Sequence, residues 1–160
     1  LPAGTGDVEE CYRQFRTAFA ASSNALTRLF PDELETLLAL KARGLRLGIV
    51  TNKPQDATER IVAQFFPEGL FDFVGGDSGM FPCKPDPSLA RYAALSMRVS
   101  PADCAFVGDG ETDAHVARNA GMQGVSVLWG YRTREQLEAA GAKVFVKDFA
   151  ELQKFLEKIC

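Results

Sequence analysis

From Leu45 onward the chain alternates short apolar runs with stretches of helical spacing, and that alternation leaves few folds open to it. Leu45-Arg46-Leu47-Gly48-Ile49-Val50 reads as a buried strand that stops at Thr51-Asn52-Lys53-Pro54, and a helix is expected over 55–66, closed by Pro67. A second strand is expected over 71–74, then a loop through Gly75-Gly76-Asp77-Ser78-Gly79. Pro82-Cys83-Lys84-Pro85-Asp86-Pro87 follows, and its prolines stiffen an extended connector. Helix 88–97, strand 104–107, helix 113–120 ended by Gly121, strand 125–128, helix 134–140, strand 143–146 and helix 149–159 complete the series. Such a series calls for an α/β fold, a Rossmann-like parallel sheet with helices on both faces. Right-handed crossovers put the strand carboxyl ends on one edge, where ligands of open α/β sheets bind.

Ahead of this region, helical spacing runs over 8–29, with Tyr12, Phe15, Phe19 and Leu26 mostly on one side. Pro31 opens a further helix over 32–42, ended by Gly44, so the one boundary falls near residue 30. A chain of 160 residues with 46% apolar content fits one ordinary domain, and its net charge of −3 argues against a general nucleic-acid binder. No apolar run approaches the roughly 20 residues of a membrane helix. Cys11, Cys83, Cys104 and Cys160 lie far apart without a CxxC spacing, so reduced thiols in a cytoplasmic protein are expected.

The chemistry concentrates in Gly108-Asp109-Gly110-Glu111-Thr112-Asp113, where a strand hands over to a helix. Two carboxylates so close repel unless a cation lies between them, and oxygen-only ligands at such a turn suit magnesium. Thr51-Asn52 directly follows a strand, so a hydroxyl and backbone N–H groups can cradle phosphate oxygens. Lys84, held in its stiff loop, can neutralise a phosphoryl group or a carboxylate. Each signal alone is weak, because caps and solvated lysines are common. All three in this order, at one sheet edge, are far more specific.

The chain from about Pro31 to its end resembles the haloacid dehalogenase-like hydrolase superfamily, and within it the phosphoglycolate phosphatases. The matching words are Leu47 through Pro54, Lys84-Pro85-Asp86-Pro87, Val107 through Asp113, Ala120-Gly121-Met122 and Trp129-Gly130-Tyr131. The resemblance implies a magnesium-dependent phosphatase that hydrolyses a small phosphorylated metabolite through an aspartyl-phosphate. It implies that Thr51 binds the phosphoryl group with Asn52 beside it, and that Lys84 serves as the phosphate-neutralising lysine. Asp109 would be a metal ligand, and Asp113 would support the metal or Lys84. Residues 1–30 would be the last part of a helical cap with its linker, and 31–160 the core. Monomer and homodimer both remain open.

One departure is large. The DxDGT word that the family carries on its first strand, with the attacking aspartate, does not occur. Gly4-Thr5-Gly6-Asp7 echoes it without an apolar strand before it. The core is therefore expected to lack its first strand, at the sheet centre between the strands ending at Thr51 and Asp109. The 160 residues are expected to be part of a longer chain. If they stand alone, the alternative is a non-catalytic phosphate- or partner-binding domain; within the fold, a sugar-phosphate mutase or a phosphonate hydrolase are the other options. His115 is expected at the surface and Glu111 no closer to a metal than one water away. Trp129, Tyr131 and Arg132 are expected either to line the substrate entrance or to pack.

Overall fold

The computed structural model describes residues 7–21 and 26–159. Gly4 to Gly6, Cys160 and the side chain of Phe19 lie outside the described residues. In chain order the elements are α1 (Val8–Ala21), α2 (Glu33–Ala42), β1 (Gly48–Pro54), α3 (Gln55–Phe65), β2 (Phe73–Asp77), α4 (Ser88–Ser96) and β3 (Ala105–Gly108). They continue with α5 (Glu111–Ala120), β4 (Gln123–Val127), α6 (Arg134–Ala139), β5 (Phe145–Val146) and α7 (Phe149–Ile159). No helix among the described residues is long and apolar enough to cross a membrane. Cys11 and Cys83 are free thiols, and the Cys104 thiol donates to the Ser100 carbonyl at 3.3 Å.

All strand pairs are parallel. β1 pairs with β2, and β3-β4-β5 form a second, three-stranded sheet. Among the described residues β1 and β3 do not pair with each other. The break falls where the sequence placed an absent central strand. Its effect shows in burial: Val107 of β3 is 38% exposed, whereas Val125 of β4 is 2% exposed.

Helices cover both faces, as strand alternation dictates. Val125 and Val127 of β4 join Leu40 of α2, Val146 of β5, and Leu152 and Leu156 of α7 in one core cluster. The opposite face of β4 meets α5: a Cβ on Gly124 would lie 3.1 Å from Ala117 Cβ. β3 alternates likewise, with Ala105 packed on the first cluster and Phe106 on a second formed by Ala90, Val116 and Ala120. Helix α4 touches β1, β2 and α5, so one face of the molecule continues across the break.

Three boundaries differ from the sequence expectation. β1 does not stop at Thr51 but runs to Pro54 through an irregularity: Val50 pairs with Gly75 and Pro54 with Asp77. Thr51, Asn52 and Lys53 therefore stand opposite Gly76 alone, a bulge that lifts them off the ladder. Gly75-Gly76, expected as loop, belongs to β2. A Cβ on Gly76 would lie 2.6 Å from the Lys53 carbonyl oxygen, so glycine here permits close approach of two backbones. Helix α1 is described over Val8–Ala21, and it does not reach residue 29: Leu26 lies in a turn, 94% exposed, and residues 27–29 are not helical.

At the amino-terminal end of β1 and β2 one carboxylate ties three segments. Asp72 accepts from Lys41 Nζ at 2.5 Å, from the Arg46 guanidinium at 2.9 Å and from the Leu47 amide at 2.9 Å. Burial pushes its carboxyl up, but these three hydrogen bonds together outweigh burial and hold its pKa at about 2, against an ordinary 3.8. A carboxyl depressed in the folded state stabilises above its unfolded pKa, and that stability is lost as pH falls through the folded value. Asp72→Asn is thus expected to lower stability by about 1 kcal/mol at pH 7, a figure reduced for the solvent that reaches this carboxylate. The gap between variant and parent should close between about pH 4 and pH 2. Urea denaturation at three pH values checks this; an equal gap at pH 7 and pH 2 would refute it.

Candidate active site

The bulge in β1 frees the Asn52 side chain from the ladder, and the structure uses it as a tether. Asn52 Oδ1 accepts from the Lys84 amide at 2.7 Å, and Asn52 Nδ2 donates to the Lys84 carbonyl at 3.2 Å. A carboxamide carries both a donor and an acceptor, so it pairs with one residue's backbone much as a neighbouring strand would. Lys84 is held from the other side by the stiff loop that enters α4, where Asp86 Oδ1 accepts from the Ser88 amide at 2.8 Å. The lysine side chain is thus aimed before any ligand arrives.

Its ammonium meets Asp113. Lys84 Nζ donates to Asp113 Oδ1 at 2.7 Å, with the two side chains only 16% and 11% exposed. Asp113 Oδ2 accepts from the Gly110 amide at 3.0 Å, which closes the first turn of α5. Gly108 has to be glycine for this: a Cβ there would sit 2.4 Å from Asp113 Cβ. Both oxygens of Asp113 are engaged, Oδ1 by Lys84 and Oδ2 by the Gly110 amide, and of the roles expected for it the contact with Lys84 is the one present.

Asp109, one residue beyond β3, has a different partner. Its Oδ2 accepts from the Tyr131 amide at 2.9 Å. Thr51 is half-buried, and its Oγ1 accepts from the Lys53 amide at 3.2 Å. Among the described residues a continuous path thus runs from Thr51-Asn52 to Lys84, to Asp113, to Gly110-Asp109 and on to Tyr131. The three segments the sequence singled out, and the turn at Tyr131, are thus joined near the carboxyl ends of strands of the two sheets.

A complete cation site is not present among the described residues, where no three His, Cys, Asp or Glu side chains converge. Asp109 fits magnesium as one carboxylate donor, which suits an ion that takes few protein ligands and keeps waters. The neighbours fall as follows. Glu111 accepts from Arg132 Nε at 2.7 Å, and that guanidinium holds its carboxyl below the usual range. Of the two places expected for Trp129, packing is the one present: its ring lies 4.8 Å from that of Phe149, beside the first core cluster. The Tyr131 side chain is 94% exposed. His115 is half-buried rather than at the surface. Asp7 accepts from the Glu9 amide at the start of α1, a helix-capping contact and not a strand end. Sequence reasoning missed the Asn52 tether and the Tyr131 amide, since a side-chain amide and a main-chain N–H carry no pattern of their own.

Two parallel sheets whose carboxyl ends gather a mostly buried lysine–aspartate pair, a second aspartate and a hydroxyl turn define a Rossmann-like core. Comparison with known proteins narrows the class. The profile of the haloacid dehalogenase-like hydrolases matches residues 3–127, and the chain belongs to that family. A phosphoglycolate phosphatase of Rhodospirillum rubrum is 35% identical over 144 residues, 89% of this chain and 59% of that protein. One of Colwellia psychrerythraea is 32% identical over 124 residues, 78% of this chain and 55% of that protein. Among crystal structures, a predicted phosphatase from Clostridium acetobutylicum covers 96% of this chain and 72% of its own, with a TM-score of 0.86 and 26% identity. A predicted phosphoglycolate phosphatase from Haemophilus somnus covers 89% and 64%, with a TM-score of 0.80 and 31% identity. The chain spans a little over half the length of the curated relatives it matches.

Proposed function

We propose that the chain is the main part of the core of a magnesium-dependent phosphatase that hydrolyses a small phosphomonoester, phosphoglycolate or a compound like it. The observation that carries this reading is the Lys84–Asp113 pair, fixed by Asn52 beside Asp109 at one sheet edge. Lys84 neutralises a phosphoryl oxygen, while Asp113 and Asn52 keep its ammonium and backbone in place. Thr51 offers its hydroxyl proton, and the lifted bulge offers backbone N–H groups, to the remaining oxygens. Asp109 holds the magnesium ion, which when bound offsets the charge that gathers on the transferring phosphoryl group.

The attacking carboxylate belongs to a strand outside these 160 residues, paired between β1 and β3. Its oxygen bonds to phosphorus as the bond from phosphorus to the ester oxygen breaks, and the leaving oxygen takes the electron pair and a proton from an acid on that same outside strand, which the water of the next step reprotonates. Water then attacks phosphorus, releasing inorganic phosphate and restoring the carboxylate. We assign α1 to the remnant of a cap over this edge, on the ground that the Tyr12 hydroxyl donates to Asp77 Oδ2 at the carboxyl end of β2, at 2.8 Å.

The test is phosphate release by the full-length protein from 2-phosphoglycolate and a panel of small phosphate esters, with MgCl2 and with EDTA. Release from at least one monoester, lost with EDTA, is the expected result. No release from any ester would leave a non-catalytic phosphate- or partner-binding domain. Formation of an isomeric sugar phosphate in place of free phosphate would indicate a mutase.

A further inference from the structure

The loop after β4 touches the edge in a way that the proposed chemistry does not yet use. β4 lies beside β3 with Ser126 opposite Gly108 and runs one residue further, to Val127. The segment 128–132 therefore turns back across the position just beyond Gly108, which is Asp109. Both ends of this segment are fastened. Trp129 is packed against Phe149 and the core at its start, and Arg132 is paired with Glu111 of α5 at its end. In between, the backbone presses on Asp109: a Cβ on Gly130 would lie 2.1 Å from Asp109 Cβ, 2.3 Å from Oδ2 and 2.6 Å from Cγ.

We propose that the 129–132 loop is a positioning device for Asp109, in which Gly130 provides the room and the Tyr131 amide fixes which carboxylate oxygen faces the metal. This deepens the proposed function and rests on it. A close contact at Cβ, unlike one at a flexible side-chain tip, cannot be relieved by rotation of the side chain; the backbone of one segment has to move. The bond from the Tyr131 amide to the Oδ2 carboxylate oxygen is charge-assisted, and it commits Oδ2, so Oδ1 is the oxygen left for a metal. The contribution of residue 131 is its N–H and not its ring, which stands in solvent.

The inference separates two substitutions at neighbouring positions. Gly130→Ala in the full-length protein is expected to weaken magnesium binding by about 10–100-fold, the usual effect of disturbing a group that orients a ligand. Calorimetric titration with MgCl2 alone reads this, and the melting temperature without metal should stay within a few degrees of the parent. Tyr131→Ala keeps the N–H and should bind magnesium as the parent does. Should Gly130→Ala fail to fold, Tyr131→Pro, which removes the N–H, is expected to give the same loss. Parent-like magnesium affinity in Gly130→Ala or in Tyr131→Pro would overturn the inference while leaving the phosphatase reading intact. A loss in Tyr131→Ala equal to that in Gly130→Ala would also overturn it. A parent that binds no magnesium would remove both.

Discussion

Replacing Lys84 with alanine is expected to lower magnesium-dependent phosphate release by the full-length protein by about 100–1,000-fold, the usual loss when one preorganised charge donor leaves a phosphoryl site. The prediction rests on how much of the surroundings is spent on this ammonium. Asn52 holds its backbone at two points, and Asp113 holds its charge at 2.7 Å. A lysine whose only task was solubility would need neither. The variant carries a second expected effect, because Asp113 would remain at the edge of α5 with the Gly110 amide and no cation. Removing one member of a mostly buried pair costs up to about 3–5 kcal/mol, so the melting temperature should fall as well. Lys84→Arg separates the two effects. It retains a charge for Asp113 and should recover much of the stability, but its planar fork does not reproduce a point ammonium and activity should stay low. Turnover of Lys84→Ala within a few-fold of the parent would make Lys84 a purely structural residue.

The second large effect is expected at Asp109. Asp109→Ala should abolish the magnesium-dependent part of phosphate release, since the two other carboxylates of the same strand-to-helix turn are engaged elsewhere. Asp113 is committed to Lys84 and Gly110, and Glu111 to Arg132. Asp109→Asn is the sharper variant. Its amide oxygen can still accept from the Tyr131 N–H, so the loop should keep its place while the charge is lost. We expect parent-like circular dichroism and melting temperature, with phosphate release no greater in MgCl2 than in EDTA. Unchanged turnover of a generic phosphate ester by either variant would remove Asp109 from the metal site.

Much of this edge was legible in the sequence because its signals are local. An apolar run followed by Thr51-Asn52, a proline-braced Lys84, and acids at a strand-to-helix turn each announce themselves within a few residues. Helices on both faces followed from the alternation, and the split between β1 and β3 matched a strand missing from the pattern. What was misread depends on register between distant segments. Gly75-Gly76 looked like a loop because two glycines usually end a strand, but here Gly76 lets the Lys53 backbone approach and Gly75 makes room for the Phe73 ring. Asn52 looked like a phosphate neighbour, and its side chain was claimed by a residue 32 positions away. Asp113 was expected to support either a metal or Lys84, and only the fold shows that Lys84 is the neighbour it meets, while Asp109 meets the Tyr131 amide. Trp129 carried no local sign that it would pack against Phe149 at the margin of the core.

The two-piece sheet gives the lysine–aspartate contact a mechanical meaning. Lys84 hangs from the β1 half through Asn52, while Asp113 belongs to the β3 half through α5. Their contact stitches the halves together at the carboxyl edge, as α4 joins them along one face. A change in the spacing of the halves would therefore be felt first as a stretched ion pair. Whatever widens the seam also displaces the cation, so the fold's alignment and the placement of its charge are one degree of freedom.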